Sequence, residues 1–110
     1  MEISYKSKKL EKQLTKPKEI AKSFGTKAKK INQRIKDLSG VETLADMRQL
    51  PAAGCHELTG DRKGKLAVKV SGNYRLIFEP NHNPLPQKDD GGLDWSQVTK
   101  IRVLDVEDYH

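Results

Sequence analysis

The sequence predicts an α+β domain, with N-terminal helices packed on one face of a twisted, mainly antiparallel sheet of four to five strands. Two observations carry this expectation. Apolar residues recur with a helical period through the first half of the chain, and with an alternating period after Gly54. A run of helices followed by a run of strands segregates the helices to one side of the sheet, which leaves the other face open. At 110 residues the chain holds one core, so a single domain over 1–110 is expected. Its helical section runs over about 6–48, and its strand section over about 55–110 with a loop over 80–98.

Each element follows from local pattern. In EISY, Ile3 and Tyr5 alternate with polar neighbours and mark a short first strand. Leu10 and Leu14 then stand one helical turn apart. Thr15 ahead of Pro17 reads as the N-cap of a further helix whose first turn accommodates the proline. Ile20, Phe24, Ala28, Ile31, Ile35 and Leu38 step by three or four, laying one apolar stripe along a helical face that Gly25 interrupts. Ser39-Gly40 closes this section, and ETLADMRQLP allows one more turn before Pro51.

After Gly54, CHELT reads as a short strand and GDRKG as a turn. A hairpin follows. KLAVKV places Leu66, Val68 and Val70 on one face, SGN reverses the chain, and YRLIFE places Tyr74, Leu76 and Phe78 on one face with Arg75 on the other. The stretch PNHNPLPQKDDGGLDWSQV has no period and reads as a long surface loop. TKIRVLDVE is the last strand. Its mixed apolar run suggests burial on both faces at its middle, and it delivers Asp108, Tyr109 and His110.

Composition narrows the function classes. Twenty-one Lys and Arg against 15 Asp and Glu give a net charge of +6. Residues 1–36 alone carry 12 basic side chains and 3 glutamates. A basic field concentrated in the helical third suits a polyanionic partner such as nucleic acid. The single Cys55 excludes an internal disulfide and fits a reducing, cytoplasmic setting. No apolar run approaches a membrane span, so no membrane role is expected. Cys55 and His56 are adjacent and no His/Cys pair has zinc spacing, so neither a metal site nor a cofactor is expected. GDRKGK lacks the spacing of a nucleotide-binding loop.

Four groups near the strands can carry chemistry: His56, the basic turn at 60–65, Arg75, and the terminal EDYH. Singly, each has an ordinary structural explanation. Arg75, for example, can pair with Asp105 or Glu79, and a lysine-rich helix is usually a solvated face. Gathered on the open face of a sheet they outline a phosphodiester-cleaving site. Cutting RNA through its own 2′-hydroxyl takes a base, a cation for the phosphate and an acid for the leaving oxygen, with no metal.

The segment CHELTGDRKGKLAVKVSGNYRLIF followed by VEDYH resembles the HigB-type killer toxins of the RelE/ParE superfamily, the toxin half of bacterial type II toxin–antitoxin pairs. The matching positions are His56, Leu58, Gly60, Asp61, Arg62, Gly64, Asn73, Tyr74, Arg75, Glu107, Asp108, Tyr109 and His110. The resemblance implies a RelE-like fold and a ribosome-dependent endoribonuclease, an mRNA interferase acting in the A site of the 70S ribosome to inhibit translation. Carried over residue by residue, the catalytic set is His56, Arg75, Asp108, Tyr109 and His110. Asp108 and His110 would share the acid–base work, His56 would assist proton transfer or position the phosphate, Arg75 would stabilise the pentacoordinate phosphate, and Tyr109 would stack on a base. Arg62, Lys63, Lys65, Lys27, Lys30 and Arg34 are the expected contacts to RNA and ribosome.

One position departs from the family pattern. A lysine often found just before the equivalent of Gly60 is Thr59 here, with Lys63 or Lys65 as possible substitutes. Loss of one transition-state donor commonly costs on the order of a hundredfold in rate. The resemblance also implies a helix-turn-helix, HigA-like antitoxin, with operator DNA bound only through the toxin–antitoxin complex. Two other readings stay open at this point: a ParE-like inhibitor of DNA gyrase, and a non-catalytic basic module that binds RNA or the ribosome.

Overall fold

A computed structural model describes residues 1–108; Tyr109 and His110 lie outside the described residues. The chain begins with strand β1 (Glu2–Tyr5) and continues through three helices, α1 (Lys8–Thr15), α2 (Pro17–Phe24) and α3 (Ala28–Gly40). Ser7 caps α1, its Oγ accepting from Leu10 N at 3.1 Å. The helix stops where proline dictates: Lys16 precedes Pro17 and takes an extended conformation (φ −94°, ψ 124°). The N-cap of α2 is therefore Lys16 and not Thr15, whose hydroxyl instead donates back to Glu11 O at 2.6 Å. Gly25 ends α2 with φ +54°, a conformation that side chains other than glycine rarely adopt.

Short 3₁₀ turns over Leu44–Gln49 and Pro51–Ala53 lead to the strands. Asp46 opens the first of these by accepting from the backbone N–H groups of Glu42 and Thr43, both at 3.2 Å. Then come β2 (His56–Glu57), β3 (Leu66–Lys69), β4 (Tyr74–Pro80) and β5 (Lys100–Asp108). The open sheet has the order β1-β5-β4-β3-β2. β1 runs parallel to β5 and the other pairs are antiparallel.

One face of this sheet is covered. Leu66, Val68, Leu76, Phe78, Ile101 and Val103 meet Leu14, Ile31, Leu38, Leu44 and Met47 in one buried cluster. The opposite face carries only a small apolar group, Leu58, Ala67 and Ile77, with Leu104 partly buried beside it.

Two expectations need correction. β5 is buried unequally on its two faces: Ile101 and Val103 are fully buried in the main cluster, whereas on the other side Leu104 is only partly buried and Arg102 and Asp105 are exposed. Its mixed pattern comes from a bulge. Phe78 pairs with Val103 and Ile77 with Asp105, so Leu104 is the extra residue. The bulge lets Val103 and Val106 both pack on the helix side despite a spacing that no regular strand would allow.

The segment between β4 and β5 is likewise no mere surface loop. Trp95 is 7% exposed and Val98 fully buried, and both belong to the main cluster. The indole Nε1 donates to Glu57 Oε2 at 3.0 Å, and the Arg48 guanidinium lies 4.2 Å from the centre of the indole ring. His82 Nε2 accepts from Thr99 N at 3.1 Å and Lys100 N at 3.3 Å, securing the return into β5. The rest of the segment matches the surface expectation over much of its length, with residues 83–85 and 87–91 exposed.

Candidate active site

Directly opposite residues of an antiparallel pair project to the same face, so register decides which side chains meet. One row across the sheet is His56, Ala67, Ile77 and Asp105; the next is Lys69, Arg75 and Glu107. Ala67 and Ile77 belong to the small cluster on the uncovered face, so both rows emerge there. His56 and Arg75 thus come together on the open face. They line two adjoining pockets of about 270 and 290 Å³, the first completed by Lys69 and Tyr74 and the second by Thr59 and Arg62.

His56 Nδ1 lies 2.8 Å from Gly54 O. A carbonyl only accepts, so this contact places a proton on Nδ1 and leaves Nε2 as the nitrogen able to exchange a proton with a ligand. The side chain is exposed, on a strand of two residues at the sheet edge.

Arg75 is more enclosed, its side chain 15% exposed. Its partner is neither Asp105 nor Glu79. Glu79 is ion-paired with Arg102, and Asp105 accepts from Val106 N at 2.8 Å. Arg75 Nη2 instead approaches Glu107 Oε1 at 3.5 Å. Glu107 also receives Arg62, whose Nη1 donates to Oε1 at 2.6 Å while Nη2 engages Oε2. The hydrogen bond from Arg62 holds the Glu107 carboxyl below the usual carboxylate range, reinforced by the charges of Arg62 and Arg75 against a smaller desolvation effect. Reciprocally, Glu107 raises the Arg62 guanidinium further above its ordinary value.

Past Arg62 the surface continues into an open groove of about 370 Å³ that adds Lys65, Lys6 and Arg102. Among the other expected RNA contacts, Lys27 Nζ sits 4.4 Å from the centre of the Tyr74 ring, on the rim of the Arg75 pocket. Lys30 lines a separate groove beside Thr26, Gln33 and Ser71. Lys63 is exposed at the end of the Gly60–Arg62 turn and lines none of these grooves.

Arg34 requires correction. It is 6% exposed and its donors are committed inward: Nε to Lys69 O at 2.7 Å, Nη1 to Asp37 Oδ2 at 3.0 Å and Nη2 to Ala52 O at 2.9 Å. It ties α3 to the sheet, and little of its side chain is left at the surface.

Asp108 ends β5 and pairs in register with Tyr74, whose ring packs on the main cluster, so its position has the opposite strand phase to the Arg75–Glu107 row and register does not bring it onto that row. Tyr109 and His110 lie outside the described residues. Sequence reasoning missed Lys69, and named Glu107 within the matched ending without giving it a role; both lie opposite Arg75 across the sheet. The signal for each is register, which for Glu107 depends on a bulge and a long connection that composition does not reveal.

The comparisons with known proteins agree with this architecture. A chain from Agrobacterium tumefaciens described as a YoeB/ParE toxin superposes with a TM-score of 0.53 over 100% of both chains at 11% identity, a likeness of fold alone. No curated protein sequence matches. A family model described as the RelE-like toxin of the type II toxin–antitoxin system HigB matches residues 3–87, from β1 into the connection ahead of β5. With most of its length matched by that model, the chain belongs to the HigB-like toxins, the RelE-like toxins of type II toxin–antitoxin systems.

Proposed function

We propose that this toxin is a metal-independent endoribonuclease that cuts mRNA held in the ribosomal A site. The observation that carries the reading is the meeting of His56, with Nε2 turned to solvent chemistry, and the arginines Arg75 and Arg62 on the one sheet face the helices leave uncovered. A pure binding surface has no need of an imidazole beside an enclosed guanidinium.

The reaction is a transesterification. A base removes the 2′-hydroxyl proton, the 2′-oxygen attacks phosphorus, and the bond to the 5′-oxygen breaks as that oxygen takes up a proton, leaving a 2′,3′-cyclic phosphate and a 5′-hydroxyl. His56 Nε2 is suited to accept or position a proton. Arg75 is suited to the charge that builds on the phosphate oxygens, with Arg62, Lys65 and Lys63 along the strand's approach. Asp108 and His110 complete the acid–base set, and Tyr109 stacks on a base. Thr59 lines the His56 pocket and offers a hydroxyl where the family often has an ammonium.

A type II toxin implies an antitoxin, and a helix-turn-helix antitoxin is the partner proposed here, carrying the toxin to operator DNA. The site of action is the cytoplasm, where translation runs. The test is controlled expression of the wild type and of His56→Ala and Arg75→Ala, followed by mapping of new 5′ ends on cellular mRNA. Cuts within translated codons, lost in both folded variants, are the expected result. Growth arrest with DNA damage and no cuts would overturn this reading in favour of gyrase inhibition.

A further inference from the structure

Glu107 takes no part in the chemistry just described, yet both arginines of the site converge on it. Three separate elements supply the group: Arg62 from the 3₁₀ turn over Gly60–Arg62, Arg75 from β4 and Glu107 from β5. The two contacts are unequal. Arg62 meets the carboxylate with both terminal nitrogens, fork on fork, which is the strong geometry for this pair. Arg75 reaches only Oε1, at 3.5 Å, well beyond the roughly 2.7–2.9 Å of a tight charge-assisted bond.

This asymmetry has a chemical consequence. The contact between Arg75 and Glu107 is long, so a phosphate arriving on the open face gains on the Arg75 guanidinium with little given up at Glu107. The same phosphate cannot readily detach Arg62, which keeps the carboxylate in place. Register reinforces the arrangement, since Arg75 and Glu107 are directly opposed across β4 and β5. Two neighbouring guanidinium groups also repel each other, and a carboxylate between them reduces a local charge of two to one.

We propose that Glu107 is a positioning residue, which gathers Arg62 and Arg75 to one point of the open face and tempers their charge, so that Arg75 is aligned for the scissile phosphate and not held by any passing polyanion. The inference rests on the ribonuclease reading. It separates two properties: the charge of Glu107 limits how tightly RNA binds, and its reach determines how fast RNA is cut.

Two substitutions separate these properties. Glu107→Gln keeps the size and removes the charge, whereas Glu107→Asp keeps the charge and shortens the reach by one methylene. Binding is measured on a 2′-O-methyl RNA oligonucleotide that no 2′-hydroxyl mechanism can cut, and cleavage as a single turnover of mRNA on programmed ribosomes. Glu107→Gln should bind the oligonucleotide about two- to fivefold more tightly, the scale of one partly exposed ion pair. It should also cut about tenfold more slowly, because a displaced catalytic cation costs rate.

Glu107→Asp should bind like the wild type and also cut more slowly. A merely structural role would weaken binding and cleavage together, and that outcome overturns the proposal. So does a Gln variant that binds no more tightly, or one that cuts at the wild-type rate. Should the Gln variant fail to fold, Glu107→Asp decides alone: wild-type affinity with slowed cleavage supports the proposal, and equal losses in both overturn it. A wild-type protein that cuts no mRNA defeats the ribonuclease reading on that control, and the Glu107 proposal then stands or falls on the binding measurement.

Discussion

Along β3, β4 and β5, alternate residues enter different environments. Leu66, Val68, Leu76, Phe78, Ile101 and Val103 turn toward the helices and are fully buried there. On the other side, Ala67 and Ile77 form the floor of a small patch, and beyond it lie Arg75, Glu107 and, from the neighbouring turn, Arg62. The covered face derives its stability from apolar area removed from water. The open face spends little apolar area and arranges charge, so substitutions on the two faces should fail in different assays.

The largest effect belongs to the covered face. Phe78→Ala empties the centre of the main cluster and should cost about 3–5 kcal/mol of stability, read from urea or thermal unfolding. Arg34→Met follows. It strands the carbonyls of Lys69 and Ala52, which accept from its guanidinium, and should destabilise by about 1–3 kcal/mol as two part-buried acceptors lose partners. Its affinity for RNA oligonucleotides should stay at the wild-type level; a loss of affinity in the folded variant would place Arg34 on the RNA surface after all.

On the open face, Arg75→Ala should leave unfolding nearly unchanged and slow cleavage by about a hundredfold, the usual scale for one transition-state donor. A smaller effect is expected at the join between the faces. Trp95→Phe keeps the packing but removes the donor to Glu57, costing about 0.5–1.5 kcal/mol and speeding hydrogen exchange in the β2 segment next to His56.

The smallest effect is pH-dependent. Glu107 has its carboxyl held below the usual range in the folded protein, so its stabilising contribution is present at neutral pH and is lost as pH falls through that depressed value. The difference in thermal midpoint between wild type and Glu107→Gln should shrink on acidification, and a difference that grew would reverse the sign of this coupling.

The covered face was legible in the sequence because a single repeat carries it. Alternation at Leu66, Val68 and Val70, and the helical stripe ending at Leu38, are local patterns, and each residue in them is buried or packs on the core. The open face was legible only in residue type. His56 and Arg75 stood out by their chemistry and were expected to gather across consecutive strands, but the register that sets which neighbours join them, above all across β4 and β5, was not readable. Glu107 was visible in the matched ending but not its place beside Arg75, because a bulge at Leu104 sets its phase, and a bulge leaves little trace in composition.

Arg34 misled for a related reason. Its neighbours Lys29, Lys30 and Lys36 are solvated, and nothing local distinguishes a cation turned inward to cap a strand carbonyl. Trp95 was hidden in a segment rich in proline, glycine and aspartate, whose composition reads as surface although one aromatic side chain anchors it in the core.

The most direct test of the central claim, that the uncovered sheet face is a ribonuclease site, is single-turnover cleavage of mRNA on programmed ribosomes by purified wild type and Arg75→Ala, with thermal unfolding of both. The account predicts cuts at the A-site codon by the wild type, a loss of about a hundredfold in Arg75→Ala, and nearly superimposable melting curves. Equal cleavage by the two proteins, or none by the wild type, would contradict it.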